Sequence, residues 1–140
     1  MICYTDGSCS KNPGPGGYGV VVLDNNENFL YNYSKRSEKT TNNREELKAI
    51  LYCLIKFGNE NPIVFSDSAY AINTYTDWMF RWANNNWIKS DKKIPENLDL
   101  IQTYYDLWQK GYRITLKKVK GHSGNHWNEI ADKLAKGELK

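Results

Sequence analysis

Hydrophobic positions along this chain follow two rhythms, and the switch between them marks out its elements. Ile2 to Thr5, Tyr18 to Leu23 and Phe29 to Ser34 are short runs rich in β-branched and aromatic residues. The first two are separated by the Pro/Gly stretch Asn12 to Gly17, the second pair by Asp24-Asn25-Asn26-Glu27-Asn28. Three strands joined by two turns predict an antiparallel meander. From Thr41 the period lengthens, and Leu47, Ile50, Leu51, Leu54 and Ile55 fall at helical spacing, with Gly58 as the stop signal. Pro62 to Ser66 is a short apolar run after a turn, so it reads as a buried strand reached by a helical crossover, which favours parallel pairing. Asp67 to Trp87 reads as a broken helix and Asp99 to Lys110 as an amphipathic one. Arg113 to Val119 alternates as a strand, and Trp127 to Lys136 closes the chain as a helix. The order predicts a mixed α/β fold.

With 140 residues, a single folded unit spanning 1–140 is expected, long enough to bury a core without disulfide staples. No run approaches the roughly eighteen apolar residues of a membrane span, so a soluble protein with no membrane partner is expected; a monomer is the accompanying expectation. Cys3, Cys9 and Cys53 are odd in number and lack metal-ligand spacing, and the N-terminus has no charged-then-apolar leader pattern. A reducing, cytoplasmic compartment follows as the expectation. The net charge of +3 is mild, so it permits a polyanionic partner without demanding one. Its distribution is more telling: Lys89, Lys92 and Lys93 follow an aromatic stretch, and a second basic region runs from Lys110 to Lys120.

The acids change the picture more than the bases do. Asp6 follows the first apolar run and precedes a glycine, where the ordinary role of Asp is to accept backbone N–H bonds in a turn. Asp67 repeats the situation after Pro62 to Ser66, and adjacent parallel strands would set the two acids side by side, beyond the carboxyl ends where open α/β sheets bind ligands. Glu46 lies in the first turns of the long helix, off its apolar face, and Asp132 lies between Ala131 and Leu134 in the last helix. Singly, Glu46 fits an acid that favours a helix N-terminus and Asp132 fits a solvated helical acid. Gathered at one point, three or four carboxylates would repel until a cation intervened, and oxygen-only ligands select magnesium, manganese or calcium over zinc.

Several stretches together resemble type 1 ribonuclease H. They are Tyr4-Thr5-Asp6-Gly7-Ser8, Asn12-Pro13-Gly14-Pro15-Gly16-Gly17-Tyr18-Gly19, Thr41-Asn42-Asn43-Arg44-Glu45-Glu46-Leu47, Ser66-Asp67-Ser68, Val119-Lys120-Gly121-His122-Ser123-Gly124 and Asn128-Glu129 with Ala131-Asp132-Lys133-Leu134-Ala135. The resemblance covers the chain from end to end, with the motifs in the family's order. It implies a ribonuclease H-like α/β fold: a five-stranded mixed sheet, three antiparallel N-terminal strands and two further parallel ones, flanked by helices. It also implies that Asp6, Glu46, Asp67 and Asp132 hold two Mg²⁺ ions, with Mn²⁺ as a substitute. The implied reaction is hydrolysis of the RNA strand of an RNA–DNA hybrid, leaving 5′-phosphate and 3′-hydroxyl ends. His122, between glycines and with a reference pKa near neutrality, looks like a proton shuttle or a helper of product release.

By the same resemblance, Asn12, Asn42 and Asn43 match minor-groove contacts to the hybrid, and Lys39, Thr41 and Asn97 match a pocket that grips a DNA phosphate. Trp78 and Trp82 lie in the handle-like segment; four residues apart on one helical face, they form either a packing pair or a contact with DNA sugars. Departures from the family pattern fall in this segment: Ala83-Asn84-Asn85-Asn86 replaces a basic stretch, Glu96 lies in a region that is often basic, and Ala69 replaces a polar residue. Weaker, less salt-dependent hybrid binding is expected from them. A non-catalytic nucleic-acid-binding module, a different nuclease or strand-transfer enzyme of the same fold, and a small-ligand binder are the other readings. The first would be expected to lack one of the four carboxylates. The Thr41 to Arg44 stretch and the handle argue against the second, and glycines that lead into a strand rather than a helix argue against the third.

Overall fold

The computed structural model describes residues 1–120 and 125–139. Five strands form one sheet: β1 (Ile2–Cys9), β2 (Gly14–Leu23), β3 (Phe29–Thr40), β4 (Ile63–Ser66) and β5 (Thr115–Lys118), in the order β3-β2-β1-β4-β5. β1, β2 and β3 pair antiparallel, whereas β1–β4 and β4–β5 are parallel. The helices are α1 (Asn42–Phe57), α2 (Ala69–Asn73), α3 (Met79–Ala83), α4 (Leu98–Gln109) and α5 (His126–Ala135). The mixed five-stranded α/β architecture expected from the element order is the one observed. No helix among the described residues is long and apolar enough to cross a membrane.

Alternation along β1 explains why the sheet carries helices on both faces. Cys3 points into a core built with Val20, Val22 and Val64 of the sheet, Leu47, Ile50 and Leu54 of α1, and Ile101 and Tyr104 of α4. Its neighbour Tyr4 points the other way, to Val21, Leu23 and the Ala131 and Leu134 face of α5. α1 begins where Thr41 caps it, the hydroxyl accepting from the Arg44 N–H at 3.2 Å, and ends at Gly58.

Three boundaries differ from the sequence reading. β1 does not stop before Asp6: it continues to Cys9, and β2 starts at Gly14, because Ser8 and Cys9 pair with Gly17 and Gly16. Most of the apparent Pro/Gly loop is therefore strand. β3 likewise runs on to Thr40 through a polar stretch that has no apolar signature, its pairing to β2 extending as far as Gly14 with Thr40. Ile55, placed on the core face by period alone, is half-exposed at the far end of α1. The break foreseen within Asp67 to Trp87 is a single π-helical turn, Thr74–Trp78, that joins α2 to α3.

Candidate active site

Asp6 occupies the middle strand of the sheet, and everything nearby is arranged around it. The parallel register of β1 with β4 pairs Ile2 with Ile63, Cys3 with Val64 and Tyr4 with Phe65. Continued by two residues, the same offset sets Asp6 beside Asp67, just past the end of β4. The register thus does what the sequence reading expected of two parallel strands.

Glu46 reaches the Asp6/Asp67 pair, and Asp132 comes against Asp6, because two glycines let helices approach the sheet closely. A Cβ on Gly7 would overlap the backbone of Glu45 and Glu46, so this glycine is what admits the first turns of α1. Gly19 is paired with Asp6 across β1 and β2, and a Cβ there would overlap Leu134 and Ala131, so it admits α5 in the same way. One helix is drawn in on each side of Asp6. Glu46 comes in with the first and Asp132 with the second.

One carboxylate oxygen from each of Asp6, Glu46 and Asp67 lies within 4.8 Å of the others. Asp6 and Glu46 are buried, and Asp67 is half-buried. Burial, then the charge of Asp67, then the hydrogen bond and charge of Asp132 push the Asp6 carboxyl up to about 8. Burial and the charges of Asp6 and Asp67 raise Glu46 well above the ordinary carboxylate range. Glu46 Oε1 is buried with no hydrogen-bond partner among the described residues. Converging oxygen donors, an orphaned buried oxygen and carboxyls forced toward neutrality fit a hard divalent cation such as Mg²⁺ or Mn²⁺. Asp132 stands against Asp6 but also forms an ion pair with Lys136 at 3.1 Å.

The residues expected to hold nucleic acid fall into two groups. The Asn42 backbone N–H donates to Asn12 Oδ1 at 2.9 Å, so these two residues, far apart in sequence, share one ridge beside the exposed Asn43. Lys39 is exposed at the end of β3, and Thr41 follows it as the cap of α1. Asn97 is brought into this neighbourhood by Arg44, whose Nη1 donates to Asn97 Oδ1 at 3.4 Å, while Asn97 Nδ2 donates to the Tyr70 hydroxyl at 3.2 Å. Trp78 and Trp82 stand 6.1 Å apart between ring centroids and line a groove of about 600 Å³ with Tyr70, Arg81, Lys89 and Glu96. The groove is aromatic but weakly basic, for Arg81 is paired with Asp77 at 3.0 Å and Lys89 with Asp91 at 3.8 Å. His122 lies outside the described residues. His126, which matches no family motif, is exposed and edge-on to Trp127.

Sequence reasoning passed over three groups that frame the site. Arg44 forks onto Asp99 with contacts of 2.9 and 2.6 Å, tying α1 to the start of α4 and holding the Asp99 carboxyl below its ordinary range. Glu45 is fully buried beside Glu46, bonded by the Thr40 hydroxyl at 2.7 Å and paired with Lys48 at 2.9 Å. Lys136 is the third. An acid and a base at i,i+3 or i,i+4 in a helical segment was the one available signal, present in Glu45/Lys48 and Asp132/Lys136.

Similarity to known proteins agrees with this geometry. The family described as RNase H matches residues 1–140. A ribonuclease H of Thermoanaerobacter sp. (strain X514) is 41% identical over 144 residues, covering 98% of this chain and 88% of its own length. Among solved structures, LC9-RNase H1, a type 1 RNase H with the type 2 active-site motif, superposes with a TM-score of 0.78 at 27% identity, over 96% of this chain and 69% of that one. The foamy viral protease-reverse transcriptase in complex with RNA/DNA hybrid shares the fold at a TM-score of 0.85 and 20% identity, over 98% of this chain and 19% of that one.

Proposed function

The chain belongs to the ribonuclease H family, and from that premise we propose that it cleaves the RNA strand of RNA–DNA hybrids with Asp6, Glu46, Asp67 and Asp132 as the metal-holding carboxylates. The observation that carries this reading is the convergence of one oxygen each from Asp6, Glu46 and Asp67 within 4.8 Å, with Asp132 against Asp6. Two divalent ions bound by these groups, Mg²⁺ first and Mn²⁺ as its substitute, would supply stabilisation of both the attacking and the leaving oxygen of an in-line displacement.

The residues divide the remaining work. Asp6 is central because it faces Asp67 by register and is approached by Glu46 and Asp132 from opposite sides of the sheet. In the displacement a water oxygen joins the phosphorus, the bond from phosphorus to the 3′ oxygen breaks, and that oxygen takes up a proton. The products carry 5′-phosphate and 3′-hydroxyl ends. His122 is the group assigned to move a proton, so its loss slows turnover rather than ending it. Asn12, Asn42 and Asn43 read the minor groove, where a 2′-hydroxyl distinguishes the RNA strand. Lys39, Thr41 and Asn97 hold a phosphate of the DNA strand, Asn97 being steadied by Arg44 and Tyr70. Trp78 and Trp82 pack against the DNA sugars from the groove they line. The hybrid complex of the foamy viral protein, which shares the fold, supports such a substrate. The protein is read as a cytoplasmic monomer.

The test is a cleavage assay with end-labelled hybrid, duplex RNA and duplex DNA, each with Mg²⁺ or with EDTA, run beside Asp6→Asn. Hybrid-only, Mg²⁺-dependent cleavage that the variant lacks is the expected result. Cleavage in EDTA, equal cutting of duplex RNA, or an active variant would each sink the reading.

A further inference from the structure

Lys136 follows α5 directly, and its position is fixed by backbone rather than left to a fraying end. Its N–H donates to the Asp132 carbonyl at 3.0 Å, the Gly137 N–H to Leu134 at 3.1 Å and the Glu138 N–H to Lys133 at 2.9 Å. With Gly137 in the left-handed conformation at φ 78°, these bonds make the closing pattern of a Schellman motif. Arg36 of β3 adds a side-chain bond to the Ala135 carbonyl, binding the same turn to the sheet. Lys136 Nζ is thereby held one helical turn from Asp132, 3.1 Å from Oδ2. The side chain of Asp132 is 21% exposed and that of Lys136 is 44% exposed, so the pair sits at the rim of the acidic centre with water on one side. The ammonium also feels the charge of Asp6 behind Asp132.

We propose that Lys136 is a tethered counter-ion that holds Asp132 in the metal-free protein and competes for it with the incoming divalent cation, thereby setting the cation concentration at which the site fills. The proposal rests on the metal-binding reading of the four carboxylates. A lysine is suited to this role: its ammonium is a compact point charge on a flexible stem, able to swing into solvent without disturbing the helix. Its partial exposure keeps the pair weak enough to be displaced. Lys136 is a positioning residue in this account, since it acts through Asp132.

The measurement is thermal melting of the protein without nucleic acid across a titration of MgCl₂, repeated with MnCl₂, for wild type, Lys136→Met and Lys136→Arg. Lys136→Met is expected to melt lower without metal, to half-saturate at roughly two- to fivefold less cation, the range a partly exposed ion pair is worth, and to match wild type at saturation. Lys136→Arg is expected to stay with wild type. A melting deficit of Lys136→Met that persists undiminished at saturating metal, or an unchanged half-saturation point while wild type responds, overturns the proposal alone. No response to either metal in wild type overturns the metal reading and the proposal with it.

Discussion

Two adjacent glutamates in the first turns of α1, Glu45 and Glu46, are both buried but meet opposite partners. Glu45 turns toward β3, where the Thr40 hydroxyl and the Lys48 ammonium meet Oε2, and Lys48 is itself steadied by the Ser37 hydroxyl at 3.0 Å. Glu46 turns toward β1 and meets two further acids, Asp6 and Asp67. Each keeps one buried oxygen without a hydrogen-bond partner among the described residues, yet only Glu45 has a side-chain cation. A buried acid with a lysine is already compensated within the scaffold, whereas a buried acid among acids is not compensated by any side chain and forms a cluster that could hold a metal ion. Burial alone does not separate structure from function here; the sign of the neighbour does.

The largest effect expected from the functional side of this contrast is on chemistry. Asp6→Asn replaces the central carboxylate with a neutral amide, leaving one weaker oxygen ligand, and a loss of several kcal/mol of transition-state stabilisation corresponds to a fall of about a thousandfold or more in hybrid cleavage. The same substitution is expected to raise the melting temperature of the metal-free protein, because it relieves repulsion among the acids. A variant that is both inactive and less stable in EDTA would place Asp6 with Glu45, as scaffold.

Next comes a pH effect confined to the acidic centre. An unfolded chain releases the Asp6 proton near 3.8, whereas the folded metal-free protein keeps it up to about 8. Across that window the folded state binds more protons, so stability without metal falls as pH rises and flattens above about 8. Glu46, raised well above its ordinary value, acts in the same direction. Denaturant melts in EDTA from pH 5 to 9 check the slope, and saturating Mg²⁺ should flatten it. A stability that rises over this range would remove the basis for calling these carboxyls uncompensated.

On the scaffold side, Lys48→Met leaves Glu45 buried and facing only the Thr40 hydroxyl. Losing one partner of such a pair costs about 3 kcal/mol, less whatever the partial exposure of Lys48 screens. The shift should be seen equally with and without Mg²⁺ in urea unfolding, in contrast to Asp6→Asn. A metal-dependent difference would mean that the two glutamates are one network.

How far this contrast was legible in the sequence depended on the range of the forces involved. The sheet order and the Asp6/Asp67 juxtaposition follow from short strands, a crossover helix and a fixed parallel register, which are local rules. The approach of α1 and α5 does not, because it depends on what a side chain at Gly7 or Gly19 would strike in a distant element. The polar second half of β3 was invisible for a related reason: its strand character comes from pairing with the glycine-rich start of β2, not from its own residues. Glu45 and Glu46 are chemically identical neighbours, and helical spacing assigns Lys48 to Glu45 at i,i+3 rather than to Glu46 at i,i+2, but nothing short of the fold could say that both are buried and that Glu46 faces Asp6 and Asp67. The roles given to Asn12, Lys39, Thr41, Asn42, Asn43, Asn97, Trp78 and Trp82 came from family likeness, and the structure supplies their neighbours.

Thr41 offers the finest cut, because it holds the start of the helix that carries both glutamates. Its hydroxyl accepts from the Arg44 N–H at 3.2 Å, and Arg44 in turn reaches Asn97 and Asp99. Thr41→Ala removes the cap and should cost about 1 kcal/mol in urea unfolding, while Thr41→Ser, which keeps the oxygen, should cost less. If the cap serves only the scaffold, kcat and KM of both variants stay near wild type once the protein is folded. If Thr41 also holds a DNA phosphate, as proposed, the alanine variant raises KM with kcat preserved and the serine variant restores it, which separates a residue that shapes the helix from one that also meets the substrate.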